Sequence, residues 1–138
     1  MEKYVKILDQ VRYFLYSIIR CEVYEENISM IKVAVCEDSE IDRSMLEEIV
    51  GFLMTDRGLE YEIIPYLNGE ELVAGYKNHP YDLIFLDVMM NEIDGIETGK
   101  MIRQMDGNVE IVYCTSSSDF AIAAYDVHAM GYLLKPYE

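Results

Sequence analysis

The chain has 138 residues, 51% of them hydrophobic, with 26 acidic against 11 basic side chains and a formal net charge of −15. That length suits one domain with a proper core, and the apolar share excludes a disordered chain. So acidic a surface argues against gripping nucleic acid or an anionic membrane and suits solubility, a basic partner or a cation site.

Residues 3–20 place Tyr4, Leu8, Val11, Leu15 and Ile18 at helical spacing, with Val5, Ile7, Phe14 and Ile19 widening the stripe. The pattern predicts an amphipathic helix with an apolar face to bury. Cys21–Ser29 has no clear period and reads as a connector. Ile31–Cys36 (IKVAVC) is short, apolar and β-branched, which predicts a buried strand. Glu37-Asp38 closes it. A helix follows from about Glu40 to Thr55, with Met45, Ile49, Phe52 and Leu53 on its core side. Tyr61–Tyr66 is the next strand, and Pro65 marks it as a strand end or sheet edge. Asn68, with Glu71 three residues on, signals the start of a helix through about Lys77.

Four consecutive apolar residues, Leu83–Leu86, bounded by turn signals predict a strand buried on both faces, and it ends in Asp87. A helix is expected from about Gly95 to Met105, and a fourth strand over 110–114 that ends at Thr115. Ser116, Ser117, Ser118 and Asp119 are cap candidates for a helix through about His128. Gly131–Leu134 is a fifth strand, closed by Lys135-Pro136. Strand and helix alternate throughout, which predicts a parallel sheet covered by helices. No apolar run approaches membrane-spanning length, and the charged first residues do not form a signal peptide. Cys21, Cys36 and Cys114 lack metal-ligand spacing and suit reduced, buried thiols in a cytoplasmic protein. His79 and His128 have no partner at catalytic spacing and receive no chemistry.

Four strand ends carry groups suited to a charged ligand: Glu37 and Asp38, Asp87, Thr115 and Lys135. Taken singly, each has a bland reading as a helix cap or a solvated surface residue. In a right-handed parallel α/β sheet, however, all of these ends share one edge, where ligands bind. Carboxylates crowded together repel unless a cation neutralises them, and oxygen ligands without Cys or His select Mg²⁺ or a similar ion. A metal, an ammonium and a hydroxyl are also what stabilises a transferring phosphoryl group. Asp87 is then free to act as the nucleophile.

These residues carry a resemblance. Glu37-Asp38 after the first strand, Asp87 in DLIFLDVMMNEIDG, Thr115 in IVYCTSS and Lys135-Pro136 in GYLLKP stand in the order and spacing of a response-regulator receiver domain, over residues 31–136. SSDFAIAAYDVHAMGYLLKP further resembles the receivers joined to LytTR-type DNA-binding domains. The resemblance implies a flavodoxin-like, doubly wound five-stranded parallel sheet of order 2-1-3-4-5. It also implies that Asp87 accepts phosphate from a sensor histidine kinase. Glu37, Asp38, Asp87 and the Met89 carbonyl would hold Mg²⁺. Lys135 and Thr115 would contact the phosphoryl oxygens, and Tyr132 would be the aromatic switch. On this reading the chain is a phosphoacceptor rather than an enzyme that turns over, with no nucleic-acid or membrane contact of its own, and a homodimer is left open.

The competing readings are a Mg²⁺-dependent phosphohydrolase with an aspartyl nucleophile, and a pseudo-receiver serving as an interaction module. The first generally needs a second Asp two residues past the nucleophile, where Met89 stands. The second leaves an intact acidic pair, Asp87 and Lys135 without a purpose. Two departures from the family stand out: Asn91 replaces a usual Pro, and the residues after Lys135 are too few for the family's last helix. The single domain of residues 1–138 thus divides into a helix and connector, 1–29, and a receiver core, 30–138. The first helix is expected to take the place of the last, as in a circular permutation, with Met1 near Glu138 and Leu8, Val11 and Leu15 on the sheet. The connecting stretch Cys21–Met30, roughly 33 Å when extended, is long enough for that return. A helix exchanged between subunits or projecting for dimerisation is the alternative.

Overall fold

A computed structural model describes residues 2–22, 30–90, 94–116 and 125–135, with the side chains of its first helix over 7–17. In chain order the elements are α1 (Glu2–Glu22), β1 (Ile31–Cys36), α2 (Glu40–Asp56), β2 (Tyr61–Tyr66), α3 (Gly69–Tyr76), β3 (Leu83–Asp87), α4 (Gly95–Met105), β4 (Glu110–Thr115) and β5 (Gly131–Leu134). The strands form one parallel sheet of order β2-β1-β3-β4-β5. β2, with its Pro65, lies at an edge, where a missing N–H costs the ladder least.

Alternation along the strands divides the core into two layers. Val33, Val35, Leu83, Phe85, Val112, Cys114 and Leu133 pack with residues of α1 and α2. Ala34, Cys36, Ile84, Leu86, Ile111 and Tyr113 pack on the other face with Leu72 and Tyr76 of α3 and Ile102 of α4. β3 is buried throughout because both layers close over it.

The helices start where their caps say. The side chains of Ser39, Asn68 and Asp94 accept from the backbone N–H of Asp42, Glu71 and Glu97 respectively. In α2 the buried stripe is Leu46, Ile49, Val50, Leu53 and Met54. Phe52, expected on the core side, is 59% exposed. The stripe follows i, i+3, i+4, i+7 and i+8, and Phe52 falls off that row.

α1 lies on the α2 side of the sheet, with Ile7, Val11, Phe14 and Leu15 buried and Leu8 packed against them. This face, beside α2, is the one that a receiver's last helix is expected to cover. A Cβ at Gly131 would stand 2.9 Å from the Phe14 ring, so the bare backbone of β5 is what lets that ring in. The expected approach of Met1 to Glu138 lies outside the described residues. So does most of the helix expected after Thr115; Tyr125 and Asp126 are helical. Among the described residues, Cys36 and Cys114 are buried and in no disulfide.

Candidate phosphoacceptor and metal site

Parallel strands bring their carboxyl ends to one edge, and four sequence-separated segments, ending β1, β3, β4 and β5, meet there. The backbone sets their positions first. Glu37 N–H donates to the Tyr66 carbonyl at 3.0 Å, which ties the end of β1 to β2. Val88 N–H donates to the Cys114 carbonyl at 3.0 Å, and Lys135 N–H to the Thr115 carbonyl at 2.7 Å. Each functional residue is thus held against the neighbouring strand.

The side chains then converge. One ligand oxygen from each of Glu37, Asp38 and Asp87 lies within 4.8 Å of the others; Glu37 and Asp87 are buried and Asp38 is exposed. Lys135 Nζ stands 2.6 Å from Glu37 Oε2 and 3.2 Å from Asp87 Oδ1. Asp87 Oδ1 also accepts from Met89 N–H at 3.2 Å, and Glu37 Oε1 from Ser39 N–H at 3.0 Å. Thr115, buried, ends the strand beside Asp87. Tyr132 is 37% exposed on β5, paired with Tyr113.

Burial pushes the Glu37 carboxyl up to about 7, although Lys135 and Ser39 pull it down. Burial also raises Asp87, against the pull of Lys135. For Lys135 burial works downward, but the hydrogen bond to Glu37 and the charge of Asp87 outweigh it and leave the ammonium raised. Carboxylates raised in this way are acids short of positive charge. Lys135 is the one cation in ion-pair contact with them among the described residues. An all-oxygen donor set with unbalanced negative charge fits Mg²⁺.

Glu37, Asp38, Asp87 and Lys135, all expected from the sequence, are therefore brought together. Gly95 is expected from sequence only as the start of a helix, which α4 bears out. A Cβ there would collide with the carbonyl oxygen of Asp87, so glycine is what lets α4 start against the Asp87 backbone. Arg43 and Asp42 of α2 also reach the site: Arg43 Nη1 donates to the Glu37 carbonyl at 3.0 Å, and Asp42 Oδ2 is 3.3 Å from Lys135 Nζ.

Comparison with known proteins agrees with this geometry. Residues 33–138 match the response regulator receiver domain family. The sensory transduction protein LytR of Staphylococcus haemolyticus is 32% identical over 111 residues, 78% of this chain and 40% of that protein. The positive alginate biosynthesis regulatory protein of Pseudomonas aeruginosa is 31% identical over 104 residues, 75% of this chain and 41% of that protein. The chain thus spans about two fifths of the length of these relatives. Among solved structures, the response regulator TrrA from Thermotoga maritima, in complex with Mg²⁺ and BeF, superposes with a TM-score of 0.66 at 28% identity. That match covers 79% of this chain and 90% of that one. By sequence match and sheet order alike, the chain belongs to the response regulator receiver domain family.

Proposed function

We propose that this receiver takes a phosphoryl group from a sensor histidine kinase onto Asp87. A carboxylate oxygen of Asp87 forms the new bond to phosphorus while the donor's bond to the same phosphorus breaks, leaving an acyl phosphate. Glu37, Asp38, Asp87 and the Met89 carbonyl would hold Mg²⁺, which would supply charge stabilisation to the phosphoryl oxygens. Lys135 is positioned to offer its ammonium to the phosphoryl group, and Thr115 to donate its hydroxyl. Drawing Thr115 toward the phosphate frees space on the neighbouring strand for the Tyr132 ring to turn inward. Among the described residues no helix is long and apolar enough to cross a membrane, and we place the reaction in the cytoplasm.

The observation that supports this reading most is Lys135 Nζ bridging Glu37 and Asp87 at the carboxyl edge of the central strand. The test is incubation with acetyl phosphate, with and without Mg²⁺, read by intact mass. One phosphoryl increment is expected with Mg²⁺, none after chelation and none in Asp87→Asn. Wild-type labelling of Asp87→Asn would overturn the assignment.

A further inference from the structure

The first turn of α2 brings to the site a carboxylate that neither the metal set nor the nucleophile uses. Asp42 Oδ2 stands 3.3 Å from Lys135 Nζ, the same ammonium that contacts Glu37 and Asp87. Asp42 is not one of the three acids whose oxygens cluster within 4.8 Å. Lys135 therefore bridges two kinds of partner. Glu37 and Asp87 are the oxygens a divalent cation would claim; Asp42 is one it would leave.

A doubly charged ion competes with the ammonium for the Glu37 and Asp87 oxygens and repels it, most strongly where burial weakens solvent screening. The ammonium then shifts its contacts. Resting on the phosphoacceptor reading, we propose that Asp42 is the positioning residue for Lys135. It receives the ammonium when the cation takes Glu37 and Asp87, and so keeps it within reach of a phosphoryl group on Asp87.

The turn is built to hold that carboxylate in place. Asp42 N–H donates to the Ser39 hydroxyl at 3.4 Å, and the neighbouring Arg43 guanidinium is anchored on the Glu37 carbonyl. These two bonds hold the backbone of the first turn of α2 beside the end of β1. Its side chain remains 25% exposed, which leaves the ammonium room to shift. Glu40, in the same turn, is exposed and forms no ion pair among the described residues. It supplies a control of equal charge.

The experiment reads Mg²⁺ affinity from the Mg²⁺ dependence of thermal unfolding, since an ion bound only by the folded state raises Tm by mass action. The variants are Asp42→Asn, Asp42→Glu, Glu40→Gln, Lys135→Met and the double variant Asp42→Asn/Lys135→Met. Asp42→Asn is expected to weaken Mg²⁺ about fivefold, the worth of one partly exposed charge pair. Glu40→Gln should change it less than about twofold, because an exposed charge at longer range is screened. Asp42→Glu, which can still reach the ammonium, should restore most of the affinity. With Lys135 already replaced, Asp42→Asn should have almost no effect, since there is no ammonium left to receive. An equal loss with and without Lys135, or an equal loss in Glu40→Gln, would reduce Asp42 to a general charge and overturn the proposal. A wild-type chain with no Mg²⁺ response would instead overturn the metal reading, and this proposal with it.

Discussion

The two edges of one sheet treat their carboxylates in opposite ways. At the amino edge, Asp82 accepts from Lys32 N–H at 2.8 Å. Asp106, just before β4, accepts from the Tyr76 hydroxyl at 2.7 Å and from the N–H groups of Asn108 and Val109. Burial alone would raise Asp106, but the hydrogen bonds from Tyr76, Asn108 and Val109 outweigh it and hold the carboxyl below its ordinary value. At the carboxyl edge burial wins, and Glu37 and Asp87 are both raised. One edge fixes its acids in hydrogen bonds that hold the fold together; the other buries Glu37 and Asp87 around the Lys135 ammonium, which under the proposed function is where the cation enters. The balance of burial against hydrogen bonding therefore distinguishes Asp106 from Glu37 and Asp87, where residue type alone does not.

The largest effect expected from breaking this arrangement is at Gly95. Alanine there drives a methyl group into the Asp87 carbonyl, and moving backbone against backbone should cost about 3 kcal/mol or more. Denaturant unfolding of Gly95→Ala would measure it, and Gly107→Ala, where a Cβ meets nothing within 4 Å, is the control. A loss no larger than the control's would show that α4 can start elsewhere.

Next in size is the covering helix. Val11 is fully buried in the layer shared by α1, α2 and the sheet. Val11→Ala should lose about 1.5–3 kcal/mol through lost burial and the space left behind. If Val11→Ala unfolds at the wild-type denaturant concentration, α1 does not cover its own sheet.

Much of this could be read from the sequence, and for identifiable reasons. IKVAVC, LIFLD and EIVYC carry the apolar runs of buried strands, and the residues that follow or end them must share an edge once the sheet is parallel. Glu37, Asp38, Asp87, Thr115 and Lys135 were legible for that reason. Asp42 was not: as an acid in the first turn of a helix it is ordinary dipole complementarity, and only the fold shows Lys135 beside it. Gly95 was legible as a helix start but not as a close approach, because its constraint is a backbone 8 residues away. Phe52 was misjudged because a wide apolar helix offers more than one stripe, and the packing partner decides which one is buried.

An effect of comparable size, with a definite sign, comes from pH. The folded value of Glu37, about 7, exceeds its ordinary 4.5, so folding favours the protonated acid. That stabilisation is complete below about 4.5 and is lost as pH rises through about 7. Metal-free protein should therefore lose on the order of 3 kcal/mol between these values, with Asp87 acting in the same direction. Mg²⁺ should recover the loss at the upper end, where the carboxylates are ionised. Thermal melts across this window, with EDTA or with Mg²⁺, measure both limbs. A metal-free Tm that rises with pH would contradict the sign.

The contrast between the two edges is tested most directly by one paired measurement: the stability of Asp87→Asn and Asp106→Asn in metal-free buffer at pH 8. Asp106→Asn removes a hydrogen-bonded, stabilised carboxylate and should lose about 1 kcal/mol. Asp87→Asn removes a buried carboxylate that the fold disfavours; it should unfold at a higher denaturant concentration than wild type and no longer gain from Mg²⁺. If both variants lose stability alike, the carboxyl edge is structural in the same sense as the amino edge, and the account fails.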